Sequence, residues 1–262
     1  MPRRYLFIAG LHKSGTSVLH RLLRAHPDVS GFHDTGASED EGQHLQGVFP
    51  PALAFGGEGR FALDPRSHLT EDSPLVGEDS RRKILADWNR HWDLSKSVLV
   101  EKSPPNVVRS RFLQALFADS AFIFIVRNPV VTALATQRRR GPAIADLIRN
   151  WEAAYATMIA DLPRVNRWAL LRYEDLTAAP RAIFDEALSF LGLPPATLGE
   201  EVKSDRGTAR RHEDPPSLSQ LEKAFGSAPA LQMLLERFGY RLEPPYCDPE
   251  AGAGRLWERS GS

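Results

Sequence analysis

A glycine-containing turn near the start of the chain constrains its fold more than any other stretch. An apolar run at residues 5–9 (YLFIA) leads into GLHKSGTS at residues 10–17, and apolar residues then recur at helical spacing through residue 26. This order is typical of a buried strand followed by a helix. At such a junction the unpaired backbone N–H groups and the positive end of the helix dipole attract an anion. The turn therefore predicts a site for phosphate or sulfate, with side-chain donors from Lys13, Ser14, Thr16 and Ser17.

The position of the lysine separates this turn from the P-loop of nucleoside triphosphatases. In a P-loop the lysine directly follows the second glycine. Here Thr16 follows Gly15, and Lys13 lies two positions before that glycine. The usual magnesium-binding arrangement is therefore not reproduced. Taken alone, the stretch also fits a structural glycine turn with a surface lysine.

The composition excludes several classes of partner. The 262 residues suffice for one large α/β domain or two small ones. Lys and Arg number 33 against 33 Asp and Glu, so the net charge of +0 gives no general attraction to nucleic acid. Cys247 is the one cysteine, which excludes an intramolecular disulfide, and no Cys/His cluster has zinc spacing. We expect neither a nucleic-acid partner nor a metal.

The apolar runs are too short for a membrane segment. The run at 5–9 is shorter than the core of a signal peptide. Nowhere does the sequence hold the roughly 20 consecutive apolar residues that a membrane-spanning helix needs. We expect a soluble, cytoplasmic protein.

Strand and helix patterns alternate along the chain. Strands are predicted at 5–9, 98–100, 121–126 and 168–171, and helices at 18–26, 78–92, 129–137, 142–160, 180–191 and 220–240, with a further helix capped by Asn106. This alternation predicts an α/β fold in which helices flank a central, mainly parallel sheet. We expect one domain over residues 1–243, with a frayed tail at 244–262. The irregular stretch at 31–77 is typical of a functional loop or lid.

Ligands of parallel sheets lie beyond the carboxyl ends of the strands. Cationic or aromatic side chains follow each predicted strand there: His12 and Lys13, then Lys102, then Arg127, then Arg172 and Tyr173. Arg127 leaves a strand that is expected to be buried, where an unpaired charge is costly. We therefore expect it to bind an anion, with a structural ion pair as the alternative.

With these motifs in place, residues 5–191 resemble the sulfotransferases that use 3′-phosphoadenosine 5′-phosphosulfate (PAPS) as sulfonate donor. The resemblance is carried by four motifs, each at a strand end: GLHKSGTS at 10–17, EKSP at 101–104, IVRNP at 125–129 and YEDL at 173–176. It implies a P-loop-like α/β architecture and a transfer that needs no metal.

The resemblance also implies roles for individual residues. Lys13 would stabilise the charge that grows on the bridging oxygen as the S–O bond breaks, and Lys102 would bind a sulfonate oxygen or the acceptor side. Arg127 would bind the 3′-phosphate, and Tyr173 would lie near the adenine. The predicted donor-binding residues are His12, Lys13, Ser14, Gly15, Thr16, Ser17, Arg127, Thr136, Tyr173 and Arg206.

Two positions depart from the family pattern. The family places a serine eight residues after the arginine to share the 3′-phosphate, and this chain has Ala135. Thr136, Thr132 and Gln137 are the candidates to replace that hydroxyl. The late Arg-Lys-Gly of the family is only echoed here by Arg206 and the glycine after it.

The acceptor must lose a proton, which calls for a general base. The cytosolic small-molecule sulfotransferases use a histidine in the segment that matches 102–104, and this chain has none there. Alignment with the heparan sulfate N-sulfotransferases gives Glu41, which we take as the base. Alignment with the tyrosylprotein sulfotransferases gives Asp34, flanked by His33, and His44 could orient or share the proton. A solvated acidic loop is the structural alternative for this stretch.

Three functions remain open on the sequence. The leading hypothesis is transfer of a sulfuryl group from PAPS to a hydroxyl or amine of a small-molecule, glycan or peptide acceptor. The second is a nucleotide-kinase-like phosphotransferase, which requires magnesium. The third is a non-catalytic nucleotide- or protein-binding module of the same fold. The sequence specifies neither the acceptor nor the oligomeric state.

Overall fold

The computed structural model describes residues 3–137, 141–198, 216–225, 228–248 and 257–259, and its centre is a six-stranded sheet. The strands are β1 (Arg4–Ala9), β2 (Val29–Gly31), β3 (Val98–Lys102), β4 (Ser120–Val126), β5 (Trp168–Arg172) and β6 (Trp257–Arg259). Their order is β2-β3-β1-β4-β5-β6, and the first five run parallel. This confirms the predicted α/β class with a mainly parallel sheet.

Helices cover both faces of the sheet. They are α1 (Thr16–Arg24), α2 (Glu78–Trp88), α3 (Ser110–Leu116), α4 (Pro129–Thr136), α5 (Ile144–Asp161), α6 (Tyr173–Ala178), α7 (Pro180–Leu191), α8 (Leu218–Phe225) and α9 (Pro229–Phe238). One core, rich in aromatic rings, packs α2, α3 and α5 on one face, and a second packs α1 and α7 on the other. Since β4 lies between the two cores, all seven of its residues are buried, as a continuous apolar strand requires.

The described stretch between β2 and α2 packs against the core although it contains no α-helix or β-strand. It contains five short 3₁₀ turns, at Ser38–Asp40, Gly42–His44, Ala52–Phe55, Phe61–Leu63 and Pro65–Ser67. Phe49 and Phe61 are buried in the aromatic core. Glu71 pairs with Arg111 at 2.6 Å and thereby ties the far end of the stretch to α3.

Three local predictions were wrong. The strand β2 was not predicted, because three residues are too few for an alternating pattern. Asn106 does not cap a helix, since its side chain donates to the backbone oxygen of Ile8 and to Glu101, and α3 begins at Ser110. The helix predicted at 220–240 is two helices, because Pro229 starts α9 at the first helical position, where proline is favoured.

The end of the chain and the exit of β5 also differ from expectation. We expected fraying after residue 243, and β6 pairs antiparallel with β5 at the edge of the sheet. We grouped Arg172 with the ligand-facing cations, and it is fully buried in a bidentate pair with Asp175 at 2.7 and 2.8 Å. Its guanidinium therefore fixes the start of α6. Among the described residues, no helix has the length and hydropathy to cross a bilayer.

Candidate active site

A cavity of about 710 Å³ opens at the carboxyl ends of β1, β3, β4 and β5. Most of the residues predicted to act on a ligand line it. The lining residues are His12, Lys13, Gly15, Thr16, Ser17, Val18, Ser38, Glu39, Glu41, Gln43, His44, Ala52, Leu53, Gly57, Glu58, Pro104, Arg127, Ala135 and Tyr173. Four segments that are distant in sequence therefore meet beyond the ends of the strands, where ligands of parallel sheets bind.

The turn between β1 and α1 presents free amides to this cavity. Lys13 and Gly15 have positive φ angles of 65° and 105°. Gly15 has room for no side chain, because a Cβ there would lie 2.3 Å from the Tyr173 ring. The backbone amides of Gly15, Thr16 and Ser17 donate to no acceptor in the described part of the chain. This arrangement suits an anion.

Ser14 shapes the turn and does not face the cavity. It is fully buried, and both its amide (3.1 Å) and its hydroxyl (2.6 Å) donate to the backbone oxygen of Leu11. The Tyr155 hydroxyl accepts from the Leu11 amide at 3.3 Å and donates to the Ile125 oxygen at 2.9 Å. Burial raises the pKa of Tyr155, so this hydroxyl keeps its proton. Ser14 was predicted as a direct ligand contact, and its hydroxyl is turned inward.

Arg127 reaches the turn from the end of β4. One of its terminal nitrogens donates to the Lys13 carbonyl at 2.8 Å, and its guanidinium carbon lies 4.4 Å from the centre of the Tyr173 ring. Among the described residues no carboxylate forms a direct ion pair with it, and Glu174 interacts with it only at longer range. Ala135 lies on the cavity wall and supplies no hydroxyl.

The other predicted donor-binding residues fall in different places. Thr136 is buried and borders a small gap of about 10 Å³ beside the main cavity, together with His12. The His12 ring packs edge-on against Phe61 at 5.9 Å. Arg206 lies outside the described residues.

Glu41 lines the cavity and forms a buried ion pair with Lys102, which is not among the described lining residues. Lys102 Nζ lies 3.1 Å from Glu41 Oε1 and donates to the Glu39 backbone oxygen at 2.9 Å. Glu41 Oε2 accepts from the side-chain amide nitrogen of Gln43 and lies 3.9 Å from His44 Nε2. The structure therefore brings Glu41, Lys102 and His44 together.

The alternative bases lie elsewhere. His33 and Asp34 pair with each other at 3.3 Å, with side chains that are 59% and 97% exposed. Neither lines the cavity. The geometry therefore favours Glu41 over Asp34 as the group that can reach a bound acceptor.

Sequence reasoning missed Glu101, the residue before Lys102. It is fully buried and accepts from the Gly42 amide at 3.0 Å, from the Ser103 hydroxyl at 2.5 Å and from the Asn106 amide group at 2.6 Å. Burial raises the pKa of Glu101 to about 7. Its place inside the EKSP motif, at the end of a buried strand, was the available signal.

Glu174 and Asn128 support the wall around Arg127. Glu174 accepts from the Asn128 amide at 3.1 Å and from the Tyr240 hydroxyl at 2.7 Å. Burial raises the pKa of Glu174. The Asn128 side chain caps α4 by accepting from the amides of Val130 and Val131. Among the described residues, no group of three or more His, Cys, Asp or Glu side chains could hold a metal ion.

Comparison with known proteins identifies the family. The model of the "Sulfotransferase family" matches residues 6–197. Protein-tyrosine sulfotransferase 2 of Gallus gallus is 22% identical over 93% of this chain and 70% of its own length. The sulfotransferase from Alicyclobacillus acidocaldarius shares the fold, with a TM-score of 0.55 at 18% identity over 90% of this chain and 97% of that one. The sulfotransferase domain of the Synechococcus PCC 7002 olefin synthase has a TM-score of 0.53 at 21% identity over 92% and 96%.

Proposed function

Since this chain belongs to the sulfotransferase family, we propose that it transfers a sulfuryl group from PAPS to a hydroxyl or amine acceptor. One observation carries the proposal. A single cavity is lined by the free amides at the start of α1, by the cations Lys13 and Arg127, and by the carboxylate of Glu41. The first two groups suit an anionic donor, and the third suits an acceptor that must lose a proton.

The donor would bind along the β1–α1 turn. The amides of Gly15, Thr16 and Ser17 and the hydroxyls of the last two would hold the 5′-phosphate. Arg127 would hold the 3′-phosphate, and its contacts with the Tyr173 ring and the Lys13 carbonyl keep the guanidinium in place. Ser14 contributes indirectly, by fixing the turn through Leu11.

The transfer would be an in-line displacement at sulfur. The acceptor oxygen or nitrogen forms a bond to sulfur while the bond from sulfur to the bridging phosphate oxygen breaks, and the electron pair leaves with adenosine 3′,5′-bisphosphate. Negative charge grows on that bridging oxygen, and Lys13 is the exposed ammonium on the turn that can stabilise it. No metal is needed for this step, because the chain supplies the cations.

The acceptor proton would pass to Glu41. Lys102 was expected to bind a sulfonate oxygen, but its ammonium is buried, lies outside the described cavity lining and is held by Glu41 and the Glu39 backbone oxygen, so its role would be to hold the base in place. His44 lies within 3.9 Å of Glu41 and is exposed, so it can relay the proton to solvent. Which hydroxyl or amine is used, on a small molecule, glycan or peptide, stays open, and a cytoplasmic location stays a prediction.

Calorimetric titration tests the donor. We expect the protein to bind adenosine 3′,5′-bisphosphate without magnesium and in preference to ATP, and Arg127→Ala to weaken this affinity at least tenfold. Binding of adenosine 5′-monophosphate, which lacks the 3′-phosphate, should change little in the same variant. Arg82→Ala, on the exposed side of α2, is the matched control. Tight binding of ATP with magnesium, and none of the bisphosphate, would overturn the proposal.

An acceptor screen with labelled PAPS tests the base. Glu41→Gln should lower turnover by about 10²–10⁴ while the bisphosphate still binds. Asp34→Asn should retain near-normal turnover, because Asp34 is exposed and away from the cavity. The reverse outcome would assign the base to Asp34.

A further inference from the structure

We propose that Glu101 is a positioning residue that holds the segment carrying Glu41 on the end of β3 and thereby keeps the base aligned with Lys102. This inference rests on the proposed function for its catalytic meaning. Its structural content, the attachment of one segment to one carboxylate, does not depend on that function.

The attachment begins directly after Glu41. The amide of the next residue, Gly42, donates to Glu101 Oε1 at 3.0 Å. The amide after that, of Gln43, donates to the Ser103 hydroxyl at 3.0 Å, and this hydroxyl donates to the same Glu101 oxygen. Two consecutive peptide groups of the segment therefore end on one carboxylate, one directly and one through Ser103.

Lys102 holds the same segment from a different direction. Successive side chains of a strand point to opposite faces. Glu101 binds residue 42, while Lys102 binds the Glu39 backbone and the Glu41 carboxylate. Residues 39–42 are thus held by both side chains at the end of β3. Loss of either set of contacts would let Glu41 move relative to the side chain that still binds the segment.

The contact between Gly42 and Glu101 leaves no space for a side chain at position 42. A Cβ on Gly42 would lie 2.5 Å from both Cγ and Oε1 of Glu101, so this position must be glycine. Asn106 donates to the second oxygen of Glu101 at 2.6 Å and to the Ile8 backbone at 3.2 Å. The carboxylate is therefore fixed to β1 as well as to the segment.

Three donors on two oxygens match the acceptor capacity of the ionised carboxylate. In a protonated Glu101 one oxygen carries an O–H, so at least one of these hydrogen bonds is lost or reversed, as the rotatable Ser103 hydroxyl allows. The charged groups around it are Glu41, Lys102 and Arg109. Since burial raises the pKa of Glu101 to about 7, the carboxyl takes up a proton as the pH falls through neutrality, and its hydrogen bonds to the segment then rearrange.

Glu101→Gln tests the attachment by hydrogen exchange and by kinetics. We expect the amides of Gly42 and Gln43 to exchange about tenfold faster in the variant, while amides of the β1–α1 turn are unchanged. We expect kcat to fall by about 10–10² through misplacement of the base, with KM for PAPS and the affinity for adenosine 3′,5′-bisphosphate within about twofold of the unmodified protein. The fall in kcat below neutral pH should be shallower in the variant.

Two further variants keep the outcome interpretable. Asp161→Asn changes another buried carboxylate, which pairs with Arg111 and His68 away from the cavity, and should alter none of these readouts beyond general stability. Ser103→Ala removes the hydroxyl that links the Gln43 amide to Glu101, and we expect a smaller effect of the same kind. This variant provides the test in case Glu101→Gln does not fold.

The results separate the two levels of the proposal. Unchanged exchange at residues 42 and 43 in both Glu101→Gln and Ser103→Ala would overturn the attachment. Faster exchange with unchanged kcat would overturn the positioning role. Failure of the unmodified protein to bind the bisphosphate would contradict the proposed function and leave the exchange result as the test of the attachment.

Discussion

The ammonium of Lys102 lies 3.1 Å from the carboxylate of Glu41, and both side chains are buried. Loss of one member of such a buried pair leaves the other charge without compensation, which costs about 3–5 kcal/mol. We therefore expect Lys102→Met to lower the free energy of unfolding by an amount of this order, measured by urea denaturation. Lys102→Met combined with Glu41→Gln should recover most of the loss.

Lys96→Met is the control for this pair, because Lys96 makes a looser contact of 3.8 Å to Asp93 at a partly exposed site. Its effect should stay within about 0.5 kcal/mol. A single Lys102→Met variant as stable as the unmodified protein would mean that the pair contributes little.

Lys13→Ala should separate catalysis from folding. Alanine has the same Cβ as lysine, so the positive φ of 65° adds no new strain. We expect turnover of PAPS to fall by about 10²–10³, with an unchanged unfolding transition and retained binding of adenosine 3′,5′-bisphosphate. Lys83→Ala, exposed on α2, should behave like the unmodified protein. Turnover within threefold of normal would exclude Lys13 from the transition state.

Ala135→Ser should supply the hydroxyl that the sulfotransferase family has eight residues after the arginine and that this chain lacks at that position. Ala135 lines the same cavity as Arg127, so the new hydroxyl can donate to the 3′-phosphate. A hydrogen bond to a charged group is worth about 1.5 kcal/mol, so the affinity for the bisphosphate should rise about tenfold in calorimetry. Adenosine 5′-monophosphate should show no gain. An equal gain for both nucleotides would place the hydroxyl away from the 3′-phosphate.

Gly15→Ala should abolish donor binding. The new Cβ would meet the Tyr173 ring at 2.3 Å, and the φ of 105° is unfavourable for alanine. The ring also contacts Arg127, so both the turn and this arginine, the groups proposed to bind the donor's phosphates, would shift. Gly47→Ala, where no atom lies within 4 Å of a new Cβ, is the matched control. Normal affinity in Gly15→Ala would show that the turn can move without loss of function.

Glu101→Gln should change how stability depends on pH. The folded protein raises the pKa of Glu101 from 4.5 to about 7, so the stability that this group contributes is present below pH 4.5 and is lost as the pH rises through 7. Glutamine does not titrate. The free energy of unfolding of the variant, relative to the unmodified protein, should therefore rise by up to about 3 kcal/mol between these pH values and stay level above pH 8.

His20 changes the pH dependence of stability in the opposite direction, and it is present in both the unmodified protein and the Glu101→Gln variant. Burial lowers its pKa from 6.5 to about 3, so its contribution to stability is lost as the pH falls below 6.5. Because it is present in both, it cancels in the difference between the two urea titrations. A difference that does not vary with pH would mean that Glu101 titrates normally in the folded state.

The parts of this structure that depend on local pattern could be predicted from the sequence. The run AFIFIV specified β4, because only a strand covered on both faces is apolar throughout. The stretch around GLHKSGTS specified the strand–turn–helix of β1 and α1, since that geometry follows from neighbouring residues, while the anion site at the turn stays a prediction. The resemblance to sulfotransferases, which the family comparison confirms, followed from the same short motifs.

The parts of the structure that depend on contacts between residues far apart in the chain could not be predicted from the sequence. The inward turn of the Ser14 hydroxyl depends on the backbone of Leu11. The Glu101 contacts join residues about 60 positions apart, and the Arg172 pair uses a cation that looks the same in sequence as the ligand-facing ones. The orientation and partners of these side chains depend on tertiary hydrogen bonds, which cannot be identified from a single sequence.

The Tyr155 hydroxyl joins the Leu11 amide to the carbonyl of Ile125 from the interior of α5. None of the described lining residues belongs to α5, yet this one oxygen links the β1–α1 turn to the central strand. On the proposed function, substitutions in α5 would therefore change the affinity for the donor although they alter no residue that lines the cavity.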